Sequence, residues 1–222
     1  MRVEPYSVGS YLHIVKRGAR GMVIVGDDAD RWRFLKLLLY MNDVYLDENW
    51  EQTVGTMGFL ERPDFWPERE PLVHILAFTL MTNHLHLLVK EIRQGGVSLF
   101  MKRLGQSMTN HHNGKYKQSG SLFQGSFRSK TIDSDEYLRY VAAYVMVKNT
   151  FELFPNIDFA KNIFDFESAW EWATTYPFSS LGEYANTRAL PIVEKDVLGE
   201  IYTDPSVFKS FSKEVLLGGE WE

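Results

Sequence analysis

Two histidines separated by a single residue are the clearest candidates for chemistry in this sequence. His84 and His86 lie in the strand-like segment MTNHLHLLVK. Side chains two residues apart on a β-strand point to the same face, so the two imidazoles could hold one divalent ion. A pair of exposed or hydrogen-bonded strand histidines is the alternative interpretation. The chain has no cysteine, so a metal would need His, carboxylate, amide or water ligands.

A tyrosine-rich segment further along the chain offers a candidate nucleophile. The segment DEYLRYVAAYVMVKN is predicted to be a helix that begins near residues 133–136. Its predicted face carries Tyr137, Tyr140, Tyr144 and Lys148. Such an aromatic stripe more often packs in a core, and we assign Tyr137 to the core. A tyrosine can nevertheless attack phosphorus when a metal and nearby cations draw charge from the phosphate, and Tyr144 is the candidate for that role.

A basic segment between the histidines and this helix is a candidate surface for nucleic acid. Residues 98–130 contain no Asp or Glu, although the whole chain has a formal net charge of −5. Cations there could contact phosphates, and aromatic rings could stack on unpaired bases. A solvated basic loop with a few anchoring rings is an equally good interpretation. The predicted contact residues are Lys102, Arg103, Lys115, Tyr116, Lys117, Phe123, Arg128 and Lys130.

The remaining histidines carry weaker signals. His13 and His74 are predicted to be structural residues in strands, because nothing nearby in the sequence completes a site. His111 and His112 lie at the end of a basic helix, where we expect them to face DNA or solvent.

The elements that must position these residues follow from the apolar patterns. Residues 10–15 and 22–25 predict a β-hairpin around a glycine-containing turn. Helical spacing of apolar residues predicts a helix over residues 31–41. Residues 72–79 and 84–90 predict two further strands separated by a short polar break.

The intervening segments and the element order indicate the fold class. Residues 42–71 and 113–130 are predicted to be loops, and residue 98 to about residue 111 a helix. Two strands, a helix, two strands and two helices suggest an α+β fold, with a ferredoxin-like central antiparallel sheet covered by helices. Residues 156–222 are expected to form an irregular C-terminal extension, packed by its aromatic residues and ending in a short helix.

Length and composition favour an ordinary globular protein. The 222 residues, 45% of them hydrophobic, can bury the core of one domain with a terminal extension. No apolar run approaches the roughly 20 residues needed to cross a bilayer, and the first residues lack the apolar core of a secretion signal. We therefore expect a cytoplasmic protein without a membrane partner.

Taken in order, these motifs resemble the single-tyrosine transposases of the HUH superfamily, in particular the REP-associated tyrosine transposases. The similarity runs from about residue 11 to about residue 149. It is carried by HIVKRG, by the His pair after AFTLMTN, by SGSLFQGSFRS and by the helix start DSDEYL. The resemblance implies a HUH nuclease-like catalytic domain over residues 1–155 and a partner that is single-stranded or hairpin DNA. It leaves open whether the protein is a monomer or a homodimer.

The same resemblance implies roles for individual residues. His84 and His86 match the ligands of Mg²⁺ or Mn²⁺, and Tyr144 matches the nucleophile that forms a 5′-phosphotyrosine. Tyr140, one helical turn earlier, is the alternative nucleophile. The family commonly places Asn or Gln four residues after the tyrosine as a third ligand, whereas this chain has Lys148 there and Asn149 one residue later.

That departure leaves several interpretations open. One residue of displacement rotates Asn149 by about 100° around an α-helix, so Asn149 could serve as a ligand only if the helix ends early enough for it to reach the ion. Otherwise water or another group would complete the metal shell, and Lys148 could neutralise the scissile phosphate. A domesticated, non-cleaving protein that binds structured single-stranded nucleic acid is the alternative function. A metal-dependent phosphodiesterase that uses activated water is a third hypothesis.

Overall fold

A four-stranded antiparallel sheet forms the centre of the molecule. The computed structural model describes residues 6–155 and 165–218. The strands are β1 (Tyr11–Arg17), β2 (Val73–Leu80), β3 (His84–Glu91) and β4 (Arg128–Ile132). Their spatial order is β2-β3-β1-β4, and every neighbouring pair is antiparallel. This order, with helices between β1 and β2 and between β3 and β4, confirms the predicted ferredoxin-like α+β class.

Helices of very different lengths connect and cover these strands. A short 3₁₀ turn (Ala19–Gly21) follows β1. The α-helices are α1 (Asp28–Tyr40), α2 (Trp50–Thr53), α3 (Gly96–Tyr116), α4 (Asp135–Ala143), α5 (Asn149–Phe151), α6 (Phe166–Thr175), α7 (Leu181–Tyr184), α8 (Val197–Ile201) and α9 (Pro205–Gly218). A π-helical turn (Tyr144–Lys148) joins α4 to α5. The Asp27 and Ser134 side chains accept backbone N–H bonds at the starts of α1 and α4, as capping residues do.

The alternation of side chains along β3 directs some residues into one core and the rest, including the histidines, to the opposite face of the sheet. Leu85 and Leu87 point into the first core, which packs the sheet against α1 and α3. Leu88 points into the second core, which packs the opposite face against α4, the π-helical turn and the C-terminal helices. His84 and His86 share the face of Leu88, as the period of two predicts.

The predicted hairpin is wrong, and a strand forms where a loop was expected. Both edges of β1 are already paired, with β3 on one side and β4 on the other. The chain leaves β1 through the tight turn at Gly18, and residues 22–25 run on without strand pairing. Ile24 instead donates its N–H to the carbonyl of Thr82. The local sequence around residues 128–132 is basic and does not predict a strand. These residues nevertheless form β4, because they pair with the free edge of β1.

The C-terminal segment contains more helix than was predicted and closes one edge of the sheet. Leu80 donates its backbone N–H to Phe178, Ser180 donates to Phe78, and Glu194 donates to Ile75. These bonds occupy the outer edge of β2, which would otherwise expose unpaired backbone groups. The predicted boundary after residue 155 adjoins residues 156–164, which lie outside the described residues. Across residues 6–155 and 165–218, no helix combines the length and apolar character that a membrane crossing requires.

Candidate functional site

A cavity of about 370 Å³ lies where β1 ends and β3 begins. It is lined by Val15, Arg17, His84, His86, Gln124, Ser126, Arg128 and Tyr144. The structure therefore brings together four of the residues selected from the sequence, although they come from β3, the start of β4 and the π-helical turn. The predicted nucleophile is not sealed in the apolar interior.

His84 is oriented by the residue before it. Its Nδ1 atom lies 2.7 Å from the side-chain carbonyl oxygen of Asn83. Because a carbonyl oxygen can only accept, Nδ1 of His84 donates the proton in this bond. The Nε2 atom of His84 then keeps its lone pair. The His84 ring lies at 70° to the His86 ring, with the ring centroids 4.8 Å apart.

His86 is buried, and its ring packs against a third histidine. The Nδ1 atom of His86 lies 3.0 Å from Nε2 of His13, and the two rings meet edge to edge with an interplanar angle of 18°. Val15 of β1 is the register partner of His86, so His13 is the diagonal neighbour of His86 on the same face. His13 lies in a strand as predicted, but its contact with a cavity histidine was not predicted. The contact depends on strand pairing between distant segments, which the local sequence does not reveal.

Burial keeps these imidazoles uncharged. Desolvation, followed by the charge of Lys130, lowers the pKa of His13 to about 4. Desolvation, followed by the neighbouring histidines, lowers the pKa of His86 to about 2. Desolvation, followed by the charge of Arg17, also lowers the pKa of His84. All three rings are neutral near neutral pH, and a neutral imidazole is the form that can bind a metal ion.

Tyr144 opens the π-helical turn and faces the histidines. Its ring makes edge contacts with the rings of His13 and His86, each with a centroid distance of 5.7 Å. The ammonium of Lys148 lies 5.1 Å from the centroid of the Tyr144 ring. Tyr140 instead stacks on Tyr137 at 6.1 Å, and Tyr140 does not line the cavity. The geometry thus favours Tyr144 over Tyr140 as the residue able to act at the cavity.

The π-helical turn changes the relation between Tyr144 and Asn149. Asn149 donates its backbone N–H to the carbonyl of Tyr144, five residues earlier, instead of to the residue four positions earlier. Such a turn absorbs one extra residue, so Asn149 is rotated back toward the side of the helix that carries Tyr144. The 100° displacement expected for a regular α-helix is therefore wrong for this helix.

Asn149 is also an unusual buried polar residue. It is 1% exposed, and its Nδ2 atom has no hydrogen-bond partner among the described residues. Nearly all buried polar groups in proteins are paired, so this unpaired N–H group is a spare hydrogen-bond donor. Lys148, by contrast, forms an ion pair with Glu152 one helical turn later.

Lys115 and Tyr116 lie away from the cavity, in a polar cluster between the start of α1 and the end of α3. We call this cluster the α1–α3 clasp: it consists of Asp27, Asp30, His111, Lys115 and Tyr116. The Lys115 ammonium lies 2.6 Å from a carboxylate oxygen of each aspartate, and Tyr116 donates its hydroxyl proton to Asp30 at 2.8 Å. His111 lies 2.9 Å from Asp30, so this ring also faces a carboxylate.

The other predicted nucleic-acid contacts are dispersed. Arg103 donates to the Asp43 carbonyl, and Phe123 is buried beneath the Lys16 ammonium, which lies 4.7 Å from its ring centroid. Lys130 lies over the ring of Tyr137 at 4.5 Å. Lys102 is exposed on α3, and Lys117 is exposed just after that helix ends. Of the eight predicted residues, Arg128 is the one that lines the cavity.

Arg17, Gln124 and Ser126 line the cavity but were missed from the sequence. The alternation of β1 could have found Arg17, because it shares a face with His13. Nothing in the sequence indicates the other two, whose loop is placed when Gln124 donates its backbone N–H to the Arg17 carbonyl. Arg17 and Arg128 together give the cavity two permanent positive charges, which suits an anionic ligand.

The fold and this site define an α+β protein whose sheet presents paired neutral histidines to a helix-borne tyrosine beside two arginines. The family model described as "Transposase IS200 like" matches residues 69–148. The match contains both cavity histidines and Tyr144, and it supports the resemblance to IS200-like transposases and a transposase-type function. A solved structure of a REP-associated tyrosine transposase bound to a REP hairpin is similar in fold, with 13% identity and a TM-score of 0.47, covering 87% of this chain and 94% of that one. No match was found among curated proteins.

Proposed function

We propose that this protein cuts and rejoins single-stranded DNA through a covalent intermediate on Tyr144. The observation that carries the proposal is that Tyr144 makes an edge contact with His86 while both residues line the cavity that also holds His84. The transposase-type family supports the reaction class. A DNA strand flanked by a hairpin is the substrate we propose, on the basis of the sequence resemblance.

Mg²⁺ or Mn²⁺ is the proposed cofactor, with His84, His86 and Asn149 as the residues that would hold it. The two imidazoles are neutral, and Asn149 would coordinate through its side-chain oxygen. Among residues 6–155 and 165–218, no group of three or more His, Asp and Glu side chains is placed to hold a metal, so an amide, water or phosphate oxygen must complete the shell. When bound, the ion would withdraw charge from a phosphate oxygen.

The arginines and Lys148 would orient and neutralise the DNA backbone. Arg17 and Arg128 reach the cavity from β1 and from the start of β4. A guanidinium can donate two parallel hydrogen bonds to one phosphate, which fixes its orientation as well as its charge. Lys148 lies next to the Tyr144 ring, where its ammonium would favour the developing phenolate.

The reaction conserves phosphodiester bonds. The Tyr144 phenolic oxygen attacks phosphorus, a new Oη–P bond forms, and the bond from phosphorus to the 3′-oxygen breaks. The phenolic proton passes to solvent, and the departing 3′-oxygen takes a proton to become a hydroxyl. Rejoining reverses these steps, because a 3′-hydroxyl attacks the phosphotyrosine and Tyr144 regains its proton. No external energy source is needed.

The test is a denaturing gel of end-labelled, hairpin-flanked single-stranded DNA incubated with the full-length protein and Mn²⁺. We expect a protein–DNA adduct with the wild type and with Tyr140→Phe, and no adduct with Tyr144→Phe or with chelator. An adduct that persists in Tyr144→Phe would overturn the assignment of the nucleophile. Cut DNA without any adduct would indicate the water-activating phosphodiesterase, and binding without cutting would indicate the domesticated binding protein.

A further inference from the structure

We propose that His13 is a positioning residue, which fixes the tautomer of His86 so that the Nε2 atom of His86 carries the lone pair directed to the cavity. The inference deepens the proposed function, because a lone pair on that atom is what metal binding by His86 requires. It concerns a residue on β1, the strand next to the one that holds the paired histidines.

The proposal starts from the 3.0 Å contact between Nδ1 of His86 and Nε2 of His13. At this distance one proton lies between the two nitrogens, so one ring donates and the other accepts. If His13 donates, a neutral His86 must carry its own proton on Nε2 and has no lone pair left for a metal. If His86 donates, its Nε2 atom is bare.

The position of the cavity selects between these two arrangements. His86 lines the cavity, whereas His13 does not. Because Nδ1 of His86 is occupied by His13, Nε2 is the nitrogen that His86 can offer to a ligand. Metal-binding histidines characteristically donate their other N–H to a fixed acceptor, which holds the ring and its tautomer in place. The arrangement with His86 as donor meets this requirement.

His84 also donates from Nδ1 and keeps a bare Nε2 atom, although its acceptor is a different residue. The side-chain carbonyl of Asn83 can only accept from Nδ1 of His84, which leaves Nε2 of His84 bare. With His13 as the acceptor for His86, both cavity histidines have the same tautomer. Asn83 and His13 then have equivalent roles, one for each member of the pair.

Packing makes His13 more than a hydrogen-bond acceptor. Its ring lies nearly coplanar with that of His86, with a centroid distance of 5.2 Å, and makes an edge contact with the ring of Tyr144 at 5.7 Å. The three rings therefore restrict each other's rotation. The orientation of His86 relative to Tyr144 depends on the ring at position 13.

The direct test is long-range ¹H–¹⁵N NMR of the ¹⁵N-labelled, full-length, metal-free protein, which distinguishes protonated from bare ring nitrogens. We expect His86 to carry its proton on Nδ1 in the wild type. In His13→Leu, which removes the acceptor, we expect the His86 proton to move largely to Nε2. In His13→Gln, whose side-chain oxygen can accept at the position of the lost Nε2 atom, we expect the wild-type tautomer. His74→Gln, a matched change in a strand histidine bound to Asp196, should leave the His86 signals unchanged.

Mn²⁺ affinity measured by calorimetry is the second readout. Loss of a residue that orients a metal ligand typically weakens binding by about 10- to 100-fold, so we expect a loss of this size in His13→Leu and near wild-type affinity in His13→Gln. A wild-type His86 that carries its proton on Nε2 would overturn the proposal, and so would unchanged Mn²⁺ affinity in His13→Leu. Absence of Mn²⁺ binding by the wild type would instead refute the metal site of the proposed function, while the NMR measurement on metal-free protein would still decide the tautomer.

Discussion

The molecule contains two clusters of ionisable residues, and they are built in opposite ways. In the α1–α3 clasp, two carboxylates face one ammonium, one imidazole and one phenol, and every charge has a partner within hydrogen-bond distance. At the cavity, the neutral imidazoles of His84 and His86 meet the phenol of Tyr144, and the His13 ring contacts both His86 and Tyr144. Two arginines line this cavity, and the Nδ2 atom of the buried Asn149 amide is unpaired among the described residues.

The difference shows how a cluster that stabilises the fold can be distinguished from a cluster that binds a ligand. Burial alone would raise the pKa of Asp30, but hydrogen bonds led by the one from Lys115 hold that pKa well below its usual range. The charged groups of the clasp therefore bond to one another. His13 and His86 are desolvated, and the neighbouring groups that act on them lower their pKa values further, which costs stability and leaves lone pairs for a ligand. Perturbed pKa values occur in both clusters. The clusters differ in that the cavity imidazoles keep lone pairs that a ligand could use.

The largest effect should follow from removing an imidazole at the cavity. His84→Ala deletes one proposed metal ligand, and we expect Mn²⁺ affinity to fall by more than about 100-fold, beyond the loss typical for residues that only support a ligand. Adduct formation should fall with it. Calorimetry measures the affinity, and His111→Ala in the clasp is the matched control. Equal losses in both variants would mean that the two clusters do not differ in the way described.

A smaller effect, on stability instead of binding, should follow from disrupting the clasp. Asp30→Asn removes a buried charge that pairs with Lys115, and we expect the free energy of unfolding to fall by about 2 kcal/mol. Urea denaturation with chelator present measures this change. Mn²⁺ affinity should stay at the wild-type value, and a loss of affinity comparable to that of His84→Ala would contradict the separation of the clusters.

The same variant gives a pH dependence with a defined sign. The folded-state pKa of Asp30 is lowered, so between that value and the unfolded value of about 3.9 the unfolded chain binds more protons. The stabilisation by Asp30 is therefore complete above about pH 4 and is lost as the pH falls further. The stability difference between the wild type and Asp30→Asn should shrink in acid.

The contrast also explains which features could be predicted from the sequence. Apolar periodicity predicted β2, β3, α1 and α4 because those patterns are local, and strand alternation placed His84 and His86 on one face. β4 was missed because a five-residue polar strand has no pattern of its own and depends on the edge of β1. His13 was missed for the same reason, since its partner is defined only by the β1–β3 register.

Two further features depend on information that composition does not contain. The π-helical turn inserts one residue into a regular helix, and nothing in the segment YVMVK distinguishes it from a continuous α-helix. Lys115 and Tyr116 were assigned to DNA because residues 98–130 are free of acids. Their carboxylate partners at Asp27 and Asp30 lie far away in sequence, so a count of charges within one segment cannot detect them.

The smallest expected effect concerns DNA binding, and it tests whether cations of the cavity and of the clasp differ in their contact with phosphates. In a Tyr144→Phe background, which prevents cutting, Arg128→Gln removes a cavity cation, whereas Lys115→Gln removes a cation already paired within the clasp. One lost phosphate contact should reduce the slope of log affinity against log salt by roughly 0.7 and weaken binding roughly fivefold at 0.1 M salt. Fluorescence anisotropy of labelled single-stranded DNA at several salt concentrations measures both quantities. Lys115→Gln should change neither, because its ammonium would have to leave two carboxylates to reach a phosphate. An equal change in slope for both variants would mean that the clasp contacts DNA after all, and that an internally satisfied cluster can still form part of a binding surface.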